Sequence, residues 1–158
     1  MDYKKHIYSQ ADASILSGIP QDALRDWRRR DFLQHFGEQG ENSRWNYSLD
    51  EIIQLAVVRC LAGNGHSIEK QLYMARHLSL AVIAEFDAAN SFYASNHKRE
   101  ITAFRLDVPI GGWMCHTVRS FADLEELPFM QVLVVDTAKL VESLPDEIKS
   151  LMRDTADT

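Results

Sequence analysis

Four arginines stand close together in the first third of the chain, at Arg25, Arg28, Arg29 and Arg30. A guanidinium group is always charged and presents a planar fork of N–H donors, which suits a phosphate or the acceptor edge of guanine. The cluster is therefore a candidate contact for nucleic acid. The alternative is a solvated basic face on a helix.

Around these arginines the sequence predicts two short helices. Ser9 is a capping residue for the first helix, which runs to about Ser17 and ends at the helix-stop residue Gly18. Pro20 suits the entry of the second helix, which ends near Arg30. Two helices joined by a few residues that include a glycine are typical of a helix-turn-helix.

The next segments predict a hairpin and two longer helices. Polar, glycine-bearing residues from Asp31 to Asn46 indicate a β-hairpin with a mobile tip. Ser48 and Glu51 form a capping box at the start of a third, apolar helix. Ser67 caps a fourth helix, whose apolar residues recur at steps of three and four. That stripe must be buried, and we expect the fourth helix to be a connecting and dimerisation helix.

The order of residues from Gly18 to Leu33 is a turn glycine, a leucine-arginine pair, an aromatic residue, an arginine and an apolar pair. This order resembles the turn and second helix of MerR-family regulators. The resemblance continues through Arg44 to the helix that closes at Gly63, and covers about the first half of the chain. Asp31 stands where the family usually has glycine, and aspartate tolerates the left-handed turn expected there.

The resemblance implies a winged helix-turn-helix whose second helix lies in the major groove of duplex DNA. Arg25 and Arg29 match arginines that the family uses on DNA, and each either pairs with guanine or clamps a phosphate. Asp22 and Asp26 either hold these guanidinium groups or screen against non-specific phosphate binding. The predicted DNA-binding residues are Gln21, Asp22, Arg25, Asp26, Arg28, Arg29, Arg44 and Trp45.

Arg44 and Trp45 belong to the predicted wing, and two interpretations of them are open. They touch the DNA backbone or minor groove, or they plug the base of the hairpin.

The second half of the chain has a different character. Residues 101–108 and 130–136 are rich in β-branched side chains and predict strands, bounded by Pro109, Gly111-Gly112 and Pro128. Helices are expected at 137–144 and 145–152, covering one face of a small sheet.

The net charge of −6 is unevenly distributed. Residues 1–78 carry ten basic and ten acidic side chains, whereas residues 79–158 carry seven and thirteen. The acidity therefore belongs to the second half, and the local field near the arginines suits a DNA partner. A protein partner is possible for the acidic half.

Other functional classes find little support. Cys60 and Cys115 lack a CxxC partner, which argues against a zinc site, and both are expected to be buried thiols. Catalytic and phosphate-binding motifs are missing, so neither an enzyme nor a cofactor is predicted. No stretch is long and apolar enough to span a membrane, and a cytoplasmic location is expected.

The sequence thus predicts an α+β protein in three parts. Residues 1–66 form a MerR-like winged helix-turn-helix, residues 67–90 the connecting amphipathic helix, and residues 91–158 a small α/β module for an effector or for self-association. The expected function is a sequence-specific transcriptional regulator of bacterial or phage-like type that binds double-stranded DNA as a homodimer. The alternatives are a protein-protein interaction module on a helix-turn-helix scaffold and a phage-type architectural or excision factor.

Overall fold

The computed structural model describes residues 3–40, 42–63, 65–90, 101–105, 115–118, 120, 122–124 and 132–156. They fall into two compact units, one of Met1–Ala75 with Leu144–Thr158 and the other of Arg76–Ser143. Both units combine helices with a three-stranded antiparallel sheet, which confirms the α+β class.

The first two helices are α1 (Gln10–Ser17) and α2 (Gln21–Arg29). Ser9 caps α1 by accepting a hydrogen bond from the Asp12 amide, while the Asp12 carboxylate accepts one from the Ser9 amide at 2.9 Å. Gly18 ends α1 with φ of 69°, a left-handed conformation that glycine adopts without strain. The predicted helix-turn-helix is confirmed, with bounds within one residue of those expected.

The first unit also contains a small sheet. Its strands are β1 (Tyr8–Ser9), β2 (Glu38–Gln39) and β3 (Trp45–Tyr47), and β3 lies between the other two. β2 and β3 form the predicted hairpin. Asp31, at the exit of α2, has φ of 62°, as expected for an aspartate in place of the usual turn glycine.

The core of the first unit is built around α3 (Leu49–Leu61). Ser48 and Glu51 form the predicted capping box, and the α3 side chains at 51–58 are all buried. Leu24 of α2 and Leu33 of the following loop join this core with at most 1% of their surface exposed. The apolar face of α2 therefore turns inward and its polar face turns outward.

The helix α4 (Ile68–Asn90) starts at the predicted cap Ser67, and the boundary between the two units falls within it, after Ala75. The second unit holds strands β4 (Ile101–Arg105), β5 (Cys115–Val118) and β6 (Val132–Asp136), in the order β5-β4-β6. The predicted strands are thus present at 101–105 and 132–136. The turns expected at Pro109, Gly111-Gly112 and Pro128 lie outside the described residues.

The last two helices are α5 (Thr137–Ser143) and α6 (Asp146–Ala156). α5 follows β6 directly, whereas α6 belongs to the first unit and packs against α1. The sequence predicts that both helices cover the small sheet. For α6 that prediction is wrong, because a buried stripe shows that a helix packs and does not reveal which element it packs against.

The two cysteines differ in their exposure. Cys115 lies on β5, at the edge of its sheet, and is exposed, so the expectation of a buried thiol is wrong there. Cys60 is half-buried, and burial raises the pKa of its thiol. Raising that pKa leaves less of the nucleophilic thiolate at neutral pH.

Candidate nucleic-acid interface

The outward surface of α2 begins with a pair of opposite charges. Arg25 Nη1 donates to Asp22 Oδ1 at 2.8 Å, and its Nη2 donates to Gln21 Oε1 at 3.3 Å. The Arg25 side chain is 64% exposed and that of Asp22 92%. Solvent screens such a pair strongly, so the guanidinium can exchange its partner at little energetic expense.

One turn further along α2, the Asp26 carboxylate forms ion pairs with two arginines. Asp26 Oδ1 accepts from Arg29 Nη2 at 2.6 Å, and Arg30 Nη1 lies 3.6 Å from Asp26 Oδ2. The Arg29 hydrogen bond, with the charges of both arginines, lowers the pKa of Asp26. Asp26 is therefore an anion at neutral pH, although Arg29 remains 80% exposed.

Arg28 lies on a different side of α2 from Arg29. Its guanidinium carbon is 3.8 Å from the centre of the Trp45 ring, a cation-π contact. Nη2 donates to the Tyr47 hydroxyl at 3.1 Å, and Nη1 donates to the Leu33 carbonyl. Arg28 thus joins the end of α2 to strand β3 of the hairpin.

Glu51 holds the other side of the hairpin. Its Oε2 accepts from the Ser48 amide at 2.8 Å within the capping box, and its Oε1 accepts from the Gly37 amide at 2.7 Å. His6 Nε2 lies 3.3 Å from Glu51 Oε2, and His6 Nδ1 lies 3.4 Å from Glu38 Oε1. These contacts tie the start of β2 to α3 and to the segment before β1.

Gly37 is required at this place in the hairpin for two reasons. Its φ of 72° is unfavourable for a side chain, and a Cβ atom there would lie 2.9 Å from the Asn46 carbonyl oxygen. The backbone of β2 can therefore approach β3 closely only with glycine at this position.

The structure separates the eight predicted site residues into two groups. Five lie on the outward side of α2, where their side chains are hydrogen-bonded to one another: Gln21, Asp22, Arg25, Asp26 and Arg29. Arg28 and Trp45 contact each other at the hairpin. Arg44 is exposed beside them in sequence, and its carbonyl accepts from the Gly40 amide at 2.8 Å.

Three contributors to this region are absent from the predicted site residues. The contacts of Tyr47 and His6 carry no local sequence signal, because their partners lie 19 and 45 residues away along the chain. Arg30 was noted in the cluster, but its stacking over Phe32, 4.6 Å from the ring centre, depends on the turn at Asp31. Glu51 was predicted as a capping residue, and its bond to Gly37 is a second role.

In the described part of the chain, no group of three or more His, Cys, Asp or Glu side chains is placed to hold a metal ion. Among the same residues, no helix has both the length and the apolar character needed to cross a membrane.

Two short helices around a glycine turn, with a basic outward face on the second helix, define a helix-turn-helix domain of the DNA-binding class. Residues 8–70 match the family model described as MerR HTH family regulatory protein. Residues 8–70 are therefore a MerR-type helix-turn-helix domain, as the resemblance predicted, and MerR-family regulators bind DNA. A comparison with curated proteins gave no match.

Proposed function

We propose that this chain regulates transcription by binding a specific DNA site as a homodimer, with α2 as the recognition helix in the major groove. The observation that carries the proposal is the exposure of Arg25 and Arg29, 64% and 80%, on the second helix of a MerR-type helix-turn-helix. In this motif the outward side chains of the second helix meet base edges and phosphates. The proposal includes no enzymatic activity.

The β2–β3 hairpin enters the proposal as the wing. Arg44 is exposed there and contacts the DNA backbone or the minor groove. The guanidinium of Arg28 already has partners within the domain, so we assign to Arg28 and Trp45 the positioning of the wing against the recognition helix.

The homodimer is assigned to α4. This helix has 23 residues, which corresponds to a length of about 34 Å at 1.5 Å per residue. It presents Leu80 with 69% of its surface exposed, an apolar side chain suited to a second copy of the helix. Two recognition helices related by a twofold axis would contact half-sites roughly 34 Å apart.

The roles of the other segments are proposed from the sequence. We assign DNA binding to residues 1–66 and dimerisation to residues 67–90. We assign a sensory or protein-binding role to residues 91–143, because α6 belongs to the first unit. The acidic surplus of the second half favours a basic protein partner for that last part.

The test is selection of a binding site from a randomised duplex library, followed by gel-shift titration. Arg25→Ala and Arg29→Ala should each weaken binding to the selected site about tenfold, since a good bidentate contact contributes roughly 1–3 kcal/mol. Arg153→Ala, which removes an exposed arginine from α6, is the matched control and should bind normally. Normal binding by both α2 variants would exclude the proposed contacts. No retention on any duplex at low salt would favour the protein-interaction module instead.

Dimerisation needs its own measurement. Light scattering after gel filtration should give twice the chain mass for the wild type, and Leu80→Glu should shift it toward the monomer. Ile15→Glu is the matched control, because Ile15 is 65% exposed on α1 and outside the proposed dimer helix. A monomeric wild type at micromolar concentration would contradict the homodimer.

A further inference from the structure

Asp26 is an acidic residue in the middle of a basic cluster. Its two carboxylate oxygens face two guanidinium groups, with 2.6 Å to Arg29 and 3.6 Å to Arg30. The Asp26 side chain is 38% exposed, less than half the exposure of Asp22. Asp26 is therefore a shared partner for two of the charges that a DNA backbone would attract.

A phosphate and the edge of guanine affect this arrangement differently. Pairing with guanine uses two of the five donors of a guanidinium group, so Arg29 can keep its bond to Asp26 while another edge meets a base. A phosphate carries a full negative charge, and moving Arg29 or Arg30 onto it leaves the Asp26 carboxylate unpaired beside a second anion. Like charges brought together in this way oppose binding.

We propose that Asp26 is a specificity-determining residue that disfavours binding through the DNA backbone more strongly than binding to the selected site. The inference rests on the proposed function, since it requires that α2 meets DNA. Non-specific affinity comes mainly from phosphate contacts, so a carboxylate that competes for the arginines lowers it selectively. Specificity is a difference between two affinities, and a repulsive group can raise it without any new contact.

Asp22 has the same chemistry in a weaker form. Its side chain is 92% exposed, and Arg25 has Gln21 Oε1 as a second partner at 3.3 Å. Removal of the Asp22 charge should therefore change non-specific binding less than removal of the Asp26 charge.

The experiment compares wild type and Asp26→Asn on two duplexes of equal length and composition, the selected site and a shuffled sequence. Fluorescence anisotropy gives Kd for both over a range of salt concentrations. Asp26→Asn should tighten binding to the shuffled duplex about three- to tenfold, the size expected for one charge near a phosphate at partial solvent exposure. Binding to the selected site should change by a smaller factor than binding to the shuffled duplex, so the ratio of the two affinities falls.

Two further variants separate a specific effect from a general one. Asp146→Asn breaks another aspartate ion pair, in which the 93% exposed Asp146 lies 2.7 Å from Lys149 on α6, and it removes the same charge. This variant should leave the ratio unchanged. Asp26→Glu keeps the charge and should keep most of the discrimination.

The outcomes are distinguishable from failure of the proposed function. If the wild type binds its selected site but Asp26→Asn leaves the affinity ratio intact, the role of Asp26 is excluded while the DNA-binding function stands. A loss of affinity for the selected site alone would also overturn the inference, because it indicates that Asp26 accepts a hydrogen bond from a base. If the wild type binds no duplex, both proposals fail.

Discussion

Arg28 and Arg29 are neighbours in the chain but belong to two different regions of the molecule. Arg29 is 80% exposed, and its hydrogen-bond partner among the described residues is Asp26. Arg28 lies against the hairpin, over the Trp45 ring and bonded to Tyr47. Successive residues on an α-helix are turned by about 100°, so two identical side chains can have unrelated roles. The outward face is available for a ligand, and the hairpin face holds the structure together.

The largest effect is expected from removal of Arg28. Arg28→Ala eliminates a cation-π contact and two hydrogen bonds, and should lower the free energy of unfolding by about 2 kcal/mol. Urea unfolding followed by circular dichroism measures it. The control is Arg29→Ala, which should stay within about 0.5 kcal/mol of the wild type, as exposed substitutions usually do. Equal losses of unfolding free energy in both variants would show that the two faces of α2 do not differ in their contribution to stability.

The second prediction concerns the salt dependence of DNA binding. If Arg29 meets a phosphate, Arg29→Ala should reduce the slope of log K against log salt by about one. Arg28→Ala should weaken binding by displacing the wing while the slope stays near its wild-type value. A reduced slope for Arg28→Ala, measured by anisotropy from 50 to 200 mM salt on a fully folded sample, would mean that Arg28 contacts DNA directly.

A smaller effect is expected for Tyr47→Phe. This change removes only the hydroxyl that accepts from Arg28 at 3.1 Å, and should lower the unfolding free energy by about 1 kcal/mol. The same substitution in the Arg28→Ala background should have almost no effect, since the shared bond is already gone. Additive losses in this double-mutant cycle would show that the two side chains act independently.

The smallest effect is a change in acid stability. The native pKa of Asp26 is lowered by Arg29, so the stabilisation from this pair is fully present above the unfolded pKa near 3.8 and is lost as the pH falls through the native value. The wild type should therefore lose slightly more stability than Asp26→Asn between pH 5 and pH 3. Thermal melts across that interval measure the difference. A steeper loss of stability in Asp26→Asn than in the wild type would contradict a stabilising ion pair between Asp26 and Arg29.

The first unit was largely predictable because its signals are local. Helix ends are set by residues within one turn of the helix: an N-cap residue, its capping-box partner three residues later, and a glycine at the C-terminal end. The bounds of α1, α2 and α3 could therefore be predicted from the sequence. The exposed position of Arg25 followed in the same way, from helical periodicity around buried Leu24.

The contacts of the hairpin could not be predicted from local sequence signals. Both interpretations of Trp45 stay predictions, and no local pattern indicated that its ring lies against the Arg28 guanidinium group. The contact between Arg28 and Trp45 depends on the path of the chain between Asp31 and the hairpin, and no local sequence pattern specifies that path. The DNA contacts of the individual residues stay predictions.

By itself, the sequence determined the helix-turn-helix, its caps and its MerR-type character, because these depend on contacts between residues a few positions apart. Only the tertiary structure decided that Arg28 holds the hairpin, that Glu51 also binds Gly37, and that α6 packs on α1. Leu144, Ile148 and Met152 form a buried stripe that any apolar surface could cover. Which surface covers it depends on the path of the whole chain, because hydrophobic burial has no intrinsic direction or preferred partner.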